Sequence, residues 1–208
     1  MKGNPSDMSH YFIEDKSLPH RPRYVTYRFA GIDFVFETDS GIFSKDHIDP
    51  ASDILIRALP PLSDSLLDLG CGYGCIGIVL AKAYSLKLTQ SDINEAALRL
   101  ARKNCEAAGV ESVIIKSDCF ENIPGSFDTI TLNPPIHAGK AVVFRMFEES
   151  AEHLSEGGRL FVVTMKQHGA GSSQKKLFEV FGNCETIYKK KGYFVFCCTK
   201  KKPSEAFQ

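Results

Sequence analysis

Between residues 66 and 77 the chain reads Leu66-Leu67-Asp68-Leu69-Gly70-Cys71-Gly72-Tyr73-Gly74-Cys75-Ile76-Gly77, an apolar run that breaks into glycines and resumes as an apolar-periodic segment. A short run of this kind suits a strand buried on both faces. Glycines let the backbone turn tightly and come close to a ligand before a helix begins. Strand, glycine turn and helix in that order belong to α/β folds, whose ligands sit beyond the carboxyl edge of the sheet and against the helix N-terminus.

The rest of the chain fits that frame. Helical periodicity covers residues 75–84, with Ile76, Val79, Leu80 and Ala83 on one face, and 94–108, with Ala97, Leu98, Ala101 and Cys105 inward and a stop at Gly109. Strands are expected at 66–69, 86–91, 113–116, 129–132 and 160–164, with a helix over 142–153 that closes at Gly157-Gly158. A helix over 173–181 and a strand pair, 185–189 and 193–199, joined through Gly192, complete the series. Upstream, residues 23–36 read as a hairpin around Ala30-Gly31, and 50–58 as a short helix stopped by Pro60-Pro61. Residues 1–22 are polar and punctuated by Pro5, Pro19 and Pro22, which suits an extended arm. The expected fold is α/β: a doubly wound, mainly parallel, seven-stranded Rossmann-like sheet with a C-terminal antiparallel hairpin and a short N-terminal β-hairpin extension. The expected division is 1–49 for arm and hairpin, 50–202 for the ligand-binding domain and 203–208 for a tail.

A length of 208 residues with 43% hydrophobic and 24% charged content suits one soluble domain. No apolar run approaches the ~20 residues that span a bilayer, and the polar start lacks a secretory pattern, so a cytoplasmic protein without a membrane partner is expected. Seven cysteines, an odd number with no CxxC pair, argue for reduced thiols and against a metal site. Net charge is zero but unevenly spread: residues 159–208 hold ten Lys/Arg against three Asp/Glu, leaving 15 against 22 before them. The lysine runs 189–191 and 200–202 are candidates for a phosphate-facing surface, or else a solvated rim.

Gly72, Gly74 and Gly77 also satisfy the dinucleotide fingerprint, with Asp92 twenty residues past Gly72. Asp68 weighs against it. A carboxylate just before the glycines repels a pyrophosphate but suits the ammonium-bearing methionine end of S-adenosylmethionine. Asp92 then suits ribose hydroxyls, the alternative being a cap on the following helix.

The Asp-x-Gly-x-Gly-x-Gly pattern resembles motif I of class I S-adenosylmethionine-dependent methyltransferases. That resemblance implies a cofactor site built from Asp68, Gly70, Gly72, Gly74, Asp92, Asp118, Cys119 and Asn133. The stretch Leu132-Asn133-Pro134-Pro135-Ile136-His137-Ala138-Gly139-Lys140 resembles the Asn-Pro-Pro-aromatic motif of enzymes that methylate amino groups in conjugated systems. Such nitrogens have delocalised lone pairs. Acceptors at the Asn133 side chain and the Pro134 carbonyl would orient the lone pair toward the methyl donor. Asn133, Pro134, Pro135 and Ile136 are thus the expected catalytic residues. Ile136 stands where most relatives carry an aromatic, so stacking would fall to Phe43 or His137. Phe43, His137 and Lys140 are the expected substrate contacts.

Gly41-Ile42-Phe43-Ser44-Lys45-Asp46, the Asn-Pro-Pro loop and the ending from Phe181 to Phe194 are together similar to bacterial small-subunit ribosomal RNA guanine-N2 methyltransferases, in a short single-domain form. The resemblance implies RNA as partner, ribosomal RNA or the small-subunit particle. A protein-glutamine N5 methyltransferase, an adenine-N6 methyltransferase and a non-catalytic cofactor-binding module stay open as alternatives.

Overall fold

The computed structural model describes residues 22–39, 47–135 and 138–201. In chain order the elements are β1 Arg23–Phe29, β2 Ile32–Thr38, α1 Pro50–Ala58, β3 Ser65–Leu69, α2 Cys75–Tyr84, β4 Lys87–Asp92 and α3 Glu95–Ala108. Then follow β5 Ser112–Lys116, β6 Phe127–Leu132, α4 Lys140–His153, β7 Leu154–Met165, α5 Ala170–Phe181, β8 Glu185–Lys190 and β9 Tyr193–Thr199. Among the described residues β1 and β2 form an antiparallel pair, and the other strands form a seven-stranded sheet ordered β5-β4-β3-β6-β7-β9-β8. Strands β3 to β7 pair in parallel, and β9 is antiparallel to both β7 and β8. The doubly wound fold expected from the sequence is the observed one.

Strand alternation sorts the core onto two faces. Leu66, Phe161, Val163, Val195 and Cys197 face one way and pack with α1, α2 and α3. Leu67, Leu69, Ile130, Leu132, Leu160, Val162, Phe196 and Cys198 face the other and pack with Met146 and Phe147 of α4 and Leu177 and Phe181 of α5. The hairpin belongs to the first cluster, since Tyr27, Phe34 and Phe36 are buried within it. Both hairpin turns have two central residues at positive φ, Ala30 and Gly31 in one and Lys191 and Gly192 in the other, matching the right-handed twist of their strands.

One expectation fails. Gly157-Gly158 does not separate a helix from a strand starting at residue 160, because β7 already begins at Leu154, directly after α4. The glycines sit instead in a register shift of β7 against β6, between the pairs Phe127↔Leu154 and Thr129↔Arg159. Backbone crowding explains the residue type: a Cβ on Gly158 would lie 2.8 Å from the Ser155 oxygen and 3.0 Å from the Phe127 oxygen.

Candidate active site

The strand order reverses between β3 and β6, and ligands of open α/β sheets bind outside the carboxyl ends of the strands at such a point. A recess lies there. Its walls include Gly70, Ser91, Asp92, Asp118, Cys119, Asn133 and Pro135, with Val142 and Met146 of α4. Of the residues expected to hold a cofactor, Gly70, Asp92, Asp118, Cys119 and Asn133 are brought together, while Asp68, Gly72 and Gly74 lie outside its walls.

Gly72 and Gly74 serve the turn. Gly72 has φ +58 and donates its N–H to Asp92 Oδ2 at 2.9 Å. Gly74, at φ +91, caps α2, and a Cβ there would meet Gln90 Nε2 at 2.8 Å. Asp92 also accepts the Asn94 N–H at Oδ1, 2.9 Å away. The helix cap is Asn94, whose side chain accepts from the Ala96 N–H, so Asp92 is not that cap. Burial pushes the Asp92 carboxyl up from its ordinary value, against the pull of its backbone donors. A carboxylate has lone pairs beyond these two bonds, and they adjoin the recess.

Asp68 has a different place from the one its position before the glycines suggests. Alternation along β3 puts it on the face of Leu66, under α2, where it is 1% exposed. Its Oδ2 accepts the Gly77 N–H at 2.9 Å and its Oδ1 accepts the Thr131 hydroxyl at 3.1 Å. Gly77 is required by that closeness, since a Cβ would lie 3.0 Å from Asp68 Cβ and 2.9 Å from Leu88 Cδ1. Desolvation raises the Asp68 carboxyl to about 6 despite both donors. Asp68 therefore ties the glycine turn and α2 to the sheet.

Asp118 is on the recess but already engaged: Arg145 of α4 donates to its Oδ1 and also reaches Cys119 Sγ, 2.9 Å from Nη2. Glu149 lies 3.7 Å from the Arg145 Nε and accepts the Phe120 N–H at 3.1 Å. Cys119 is at φ +48, which turns the chain there. Burial raises its thiol to about 11, against the lowering effect of Arg145. The other recess polar group of note is Ser91 Oγ, which is buried without a hydrogen-bond partner among the described residues.

Asn133 follows β6, and its side chain is held from the far side. Its Nδ2 donates to Asp49 Oδ2 at 2.9 Å and to Ser52 Oγ at 3.1 Å. A carboxylate only accepts, so this contact fixes which way the amide points. The amide oxygen accepts from no described residue. Asp49 is the N-cap of α1, with Pro50 at the first helical position, and its Oδ2 also accepts the Ser52 N–H at 2.9 Å. The Pro135 oxygen accepts the Ala138 N–H at 3.1 Å, whereas the Pro134 oxygen accepts from no described residue. Sequence reasoning missed Asp49 and Ser52. The Asp-Pro-x-Ser start of α1 was a visible cap signal, but a cap pattern does not say what else the cap holds.

Beyond Asn133 from the recess, a second cavity of about 260 Å³ opens. Asp49, Asn133, Pro134 and Lys140 line it together with the apolar Val143, Phe144, Val163, Met165 and Tyr193, and with Thr164, His168 and Ser173. Asn133 borders both spaces. Of the expected substrate contacts, Lys140 is on this cavity; Phe43, His137 and also Ile136 lie outside the described residues. Phe144 and Tyr193 are aromatic walls that the sequence did not single out, because nothing in their local pattern marks them as other than core.

Among the described residues no helix is long and apolar enough to cross a membrane, and no group of three or more His, Cys, Asp or Glu is placed to hold a metal ion.

Residues 33–197 match the family described as methyltransferase small domain. The uncharacterized protein YbxB of Bacillus subtilis strain 168 is 40% identical over 197 residues, covering 92% of this chain and 98% of its own. Ribosomal RNA small subunit methyltransferase C of Aeromonas hydrophila is 39% identical over 128 residues, 59% of this chain and 37% of that protein. Among solved structures, the T. thermophilus 16S rRNA methyltransferase RsmC in complex with AdoMet and guanosine superposes with a TM-score of 0.79 at 28% identity. That match covers 91% of this chain and 53% of the other, so this chain spans about half or less of the ribosomal RNA methyltransferases it matches.

Proposed function

The chain belongs to the methyltransferase small domain family, and from that premise we propose that it methylates the exocyclic N2 amino group of guanine in ribosomal RNA with S-adenosylmethionine as donor. The observation that carries the reading is the side chain of Asn133, which borders both cavities and has its nitrogen held by Asp49 and Ser52. When bound, the cofactor supplies an electrophilic methyl group on a sulfonium.

The recess has residues that fit such a group. Asp92 offers its remaining lone pairs to ribose hydroxyls, Asp118 offers the oxygen not engaged by Arg145 to an amino group, and Gly70, at φ +70, keeps the wall open. Ser91 Oγ adds a buried hydroxyl with unspent hydrogen-bonding capacity. A second carboxylate on the recess, Asp118, goes beyond the single ribose-binding acid of the dinucleotide fingerprint and makes a poor setting for a pyrophosphate.

On the other side, Phe144, Tyr193, Met165 and Val163 make an apolar slot suited to a planar base. A guanine N2 entering from it meets two acceptors, the Asn133 amide oxygen and the Pro134 carbonyl. These hold the two N–H bonds and turn the nitrogen lone pair toward the recess. Neither acceptor is basic enough to take the proton outright. The proton leaves to water once the nitrogen carries the methyl group and has become acidic. The aromatic missing at Ile136 is compensated by the slot's own rings.

Transfer of labelled methyl to ribosomal RNA, duplex DNA and a glutamine-bearing release-factor peptide tests the reading. Ribosomal RNA should be labelled, and its digest should contain N2-methylguanosine. Label in adenine or in the peptide, with none in guanine, overturns it.

A further inference from the structure

We propose that Lys140, Lys166, Lys190 and Lys191 form a cationic collar at the mouth of the apolar slot that holds the backbone phosphates on either side of the nucleotide whose base enters it. The inference rests on the reading of that slot as a base site.

The four lysines come from three separate parts of the chain. Lys140 opens α4 and lines the slot. Lys166 follows Met165, which lines it too, and the Lys166 N–H donates to the Gly192 oxygen at 2.8 Å. That bond joins the segment after β7 to the tip of the β8–β9 hairpin. At the tip, Lys190 pairs in register with Tyr193, another slot residue, and Lys191 with Gly192 makes the turn. All four lysines are exposed.

Charge pairing sets them apart from most other cations of the molecule. Among the described residues, the lysines with no ion pair, hydrogen bond or ring contact for the ammonium group are Lys87, Lys201 and these four. Among the described residues the one carboxylate lining the slot, Asp49, is occupied by Ser52 and Asn133. One free lysine on a surface means nothing. One that lines a base-sized apolar slot and three that adjoin its lining residues Met165 and Tyr193 are what a splayed nucleotide needs, because its own phosphates stay outside when the base goes in.

Two other lysines of the basic runs have partners of their own. Lys189 is held over the Phe194 ring at 5.5 Å. Lys200 lies beyond the opposite end of β9, about 20 Å away at ~3.3 Å per residue, and donates to the Glu152 and Leu154 oxygens at 3.1 and 2.8 Å. The two basic runs of the sequence therefore serve different ends of the sheet.

Binding of a fluorescein-labelled oligocytidine RNA with a central guanine, read by anisotropy across a salt series, tests the collar. In the variant Lys190→Gln/Lys191→Gln the log–log salt slope should flatten by about 1.4, or ~0.7 per single-strand contact, and Lys140→Gln and Lys166→Gln should each flatten it by ~0.7. Lys190→Arg/Lys191→Arg should bind like the parent. Calorimetric affinity for S-adenosylhomocysteine should not move, which also reports that the variants are folded. Unchanged RNA affinity and slope in the variant lacking all four lysines, or an equal loss in Lys87→Gln/Lys201→Gln, overturns the proposal. Binding is read without turnover, so the two readings fail separately. A parent that binds through the collar but yields no N2-methylguanosine overturns the activity; one that methylates RNA yet binds it independently of the four lysines overturns the collar.

Discussion

At Asp68 a carboxylate that looks like a ligand group in the chain becomes a tie in the fold, and its titration gives that role a measurable sign. Its carboxyl is raised from 3.8 to about 6, chiefly by desolvation. The folded protein thus keeps this proton to a higher pH than the unfolded chain does. Between about pH 4 and about pH 6 the native state binds more protons, so stability falls as pH rises through that window and is level above it, by an amount on the order of 3 kcal/mol. Asp68→Asn should abolish the decline. Its amide oxygen can accept the Gly77 N–H, and its nitrogen can donate to Thr131 Oγ1, which has the Leu67 oxygen 3.4 Å away as its own acceptor. Urea midpoints across that window check it; a decline as steep as the parent's sinks the assignment. Asn133 and Asp49 carry the complementary prediction. Asn133→Ala should leave affinity for S-adenosylhomocysteine within a few-fold and cut the methyl-transfer rate steeply, since only the reacting geometry needs the lost oxygen. Asp49→Ala should cut the rate as well and cost about 1 kcal/mol through the lost cap, whereas Asp49→Asn keeps an acceptor for both jobs and should restore most of each. A rate unaffected by Asp49→Ala would mean that Asn133 orients itself.

The glycine turn between β3 and α2 shows how one motif contains positions of different cost. Gly72→Ala meets φ +58 and nothing within 4 Å, so it should cost about 1 kcal/mol. Gly74→Ala meets φ +91 and contacts at 2.8 and 2.9 Å with Gln90 and Ile78, and should cost several times as much. Chemical denaturation of the two variants orders them; equal losses would mean that strain alone decides. Element by element, the chain was legible where local chemistry and packing agree. The 3.6-residue period of α3 and its stop at Gly109, the two-residue turn at Ala30-Gly31 and the βα alternation needed no tertiary information. It was illegible where a partner strand decides. Gly157-Gly158 has the composition of a turn, and only the backbone of β6 pressing on it makes it a bulge. The site divides in the same way. Asp92, Asp118, Cys119 and Asn133 were readable because each ends or follows a parallel strand and so arrives at one edge of the sheet. Strand parity could also have placed Asp68, since Leu66 and Asp68 share a face opposite to Leu67 and Leu69. Asp49, 84 residues from Asn133, could not be read, because only the fold brings its cap to that amide.

At the scale of the whole molecule, the issue is whether the N-terminal hairpin is an extension of the domain or part of its core. The packing favours the second. Phe36 is fully buried, its ring 5.9 Å from those of Phe34 and Tyr73, and Tyr73 belongs to the glycine turn. Asn104 of α3 fastens the same junction: its Oδ1 accepts the Glu37 N–H at 2.7 Å, and its Nδ2 donates to the Glu37 and Tyr73 oxygens at 3.0 and 2.8 Å. Hairpin, helix and ligand-facing turn thus share one set of contacts, and none can loosen without exposing the others. Two consequences separate a shared core from an appended one. Phe36→Ala opens a cavity that the rigid sheet cannot collapse, at ~3–5 kcal/mol, a large part of the ~5–15 kcal/mol that holds a domain together. If the core is shared, that loss should lower the urea midpoint of the entire protein in one transition with an unchanged slope, and tyrosine fluorescence and far-ultraviolet ellipticity should report the same midpoint. Cofactor affinity should weaken only in step with the unfolded fraction. An appended hairpin would instead melt first, giving two transitions and leaving the main midpoint where it was.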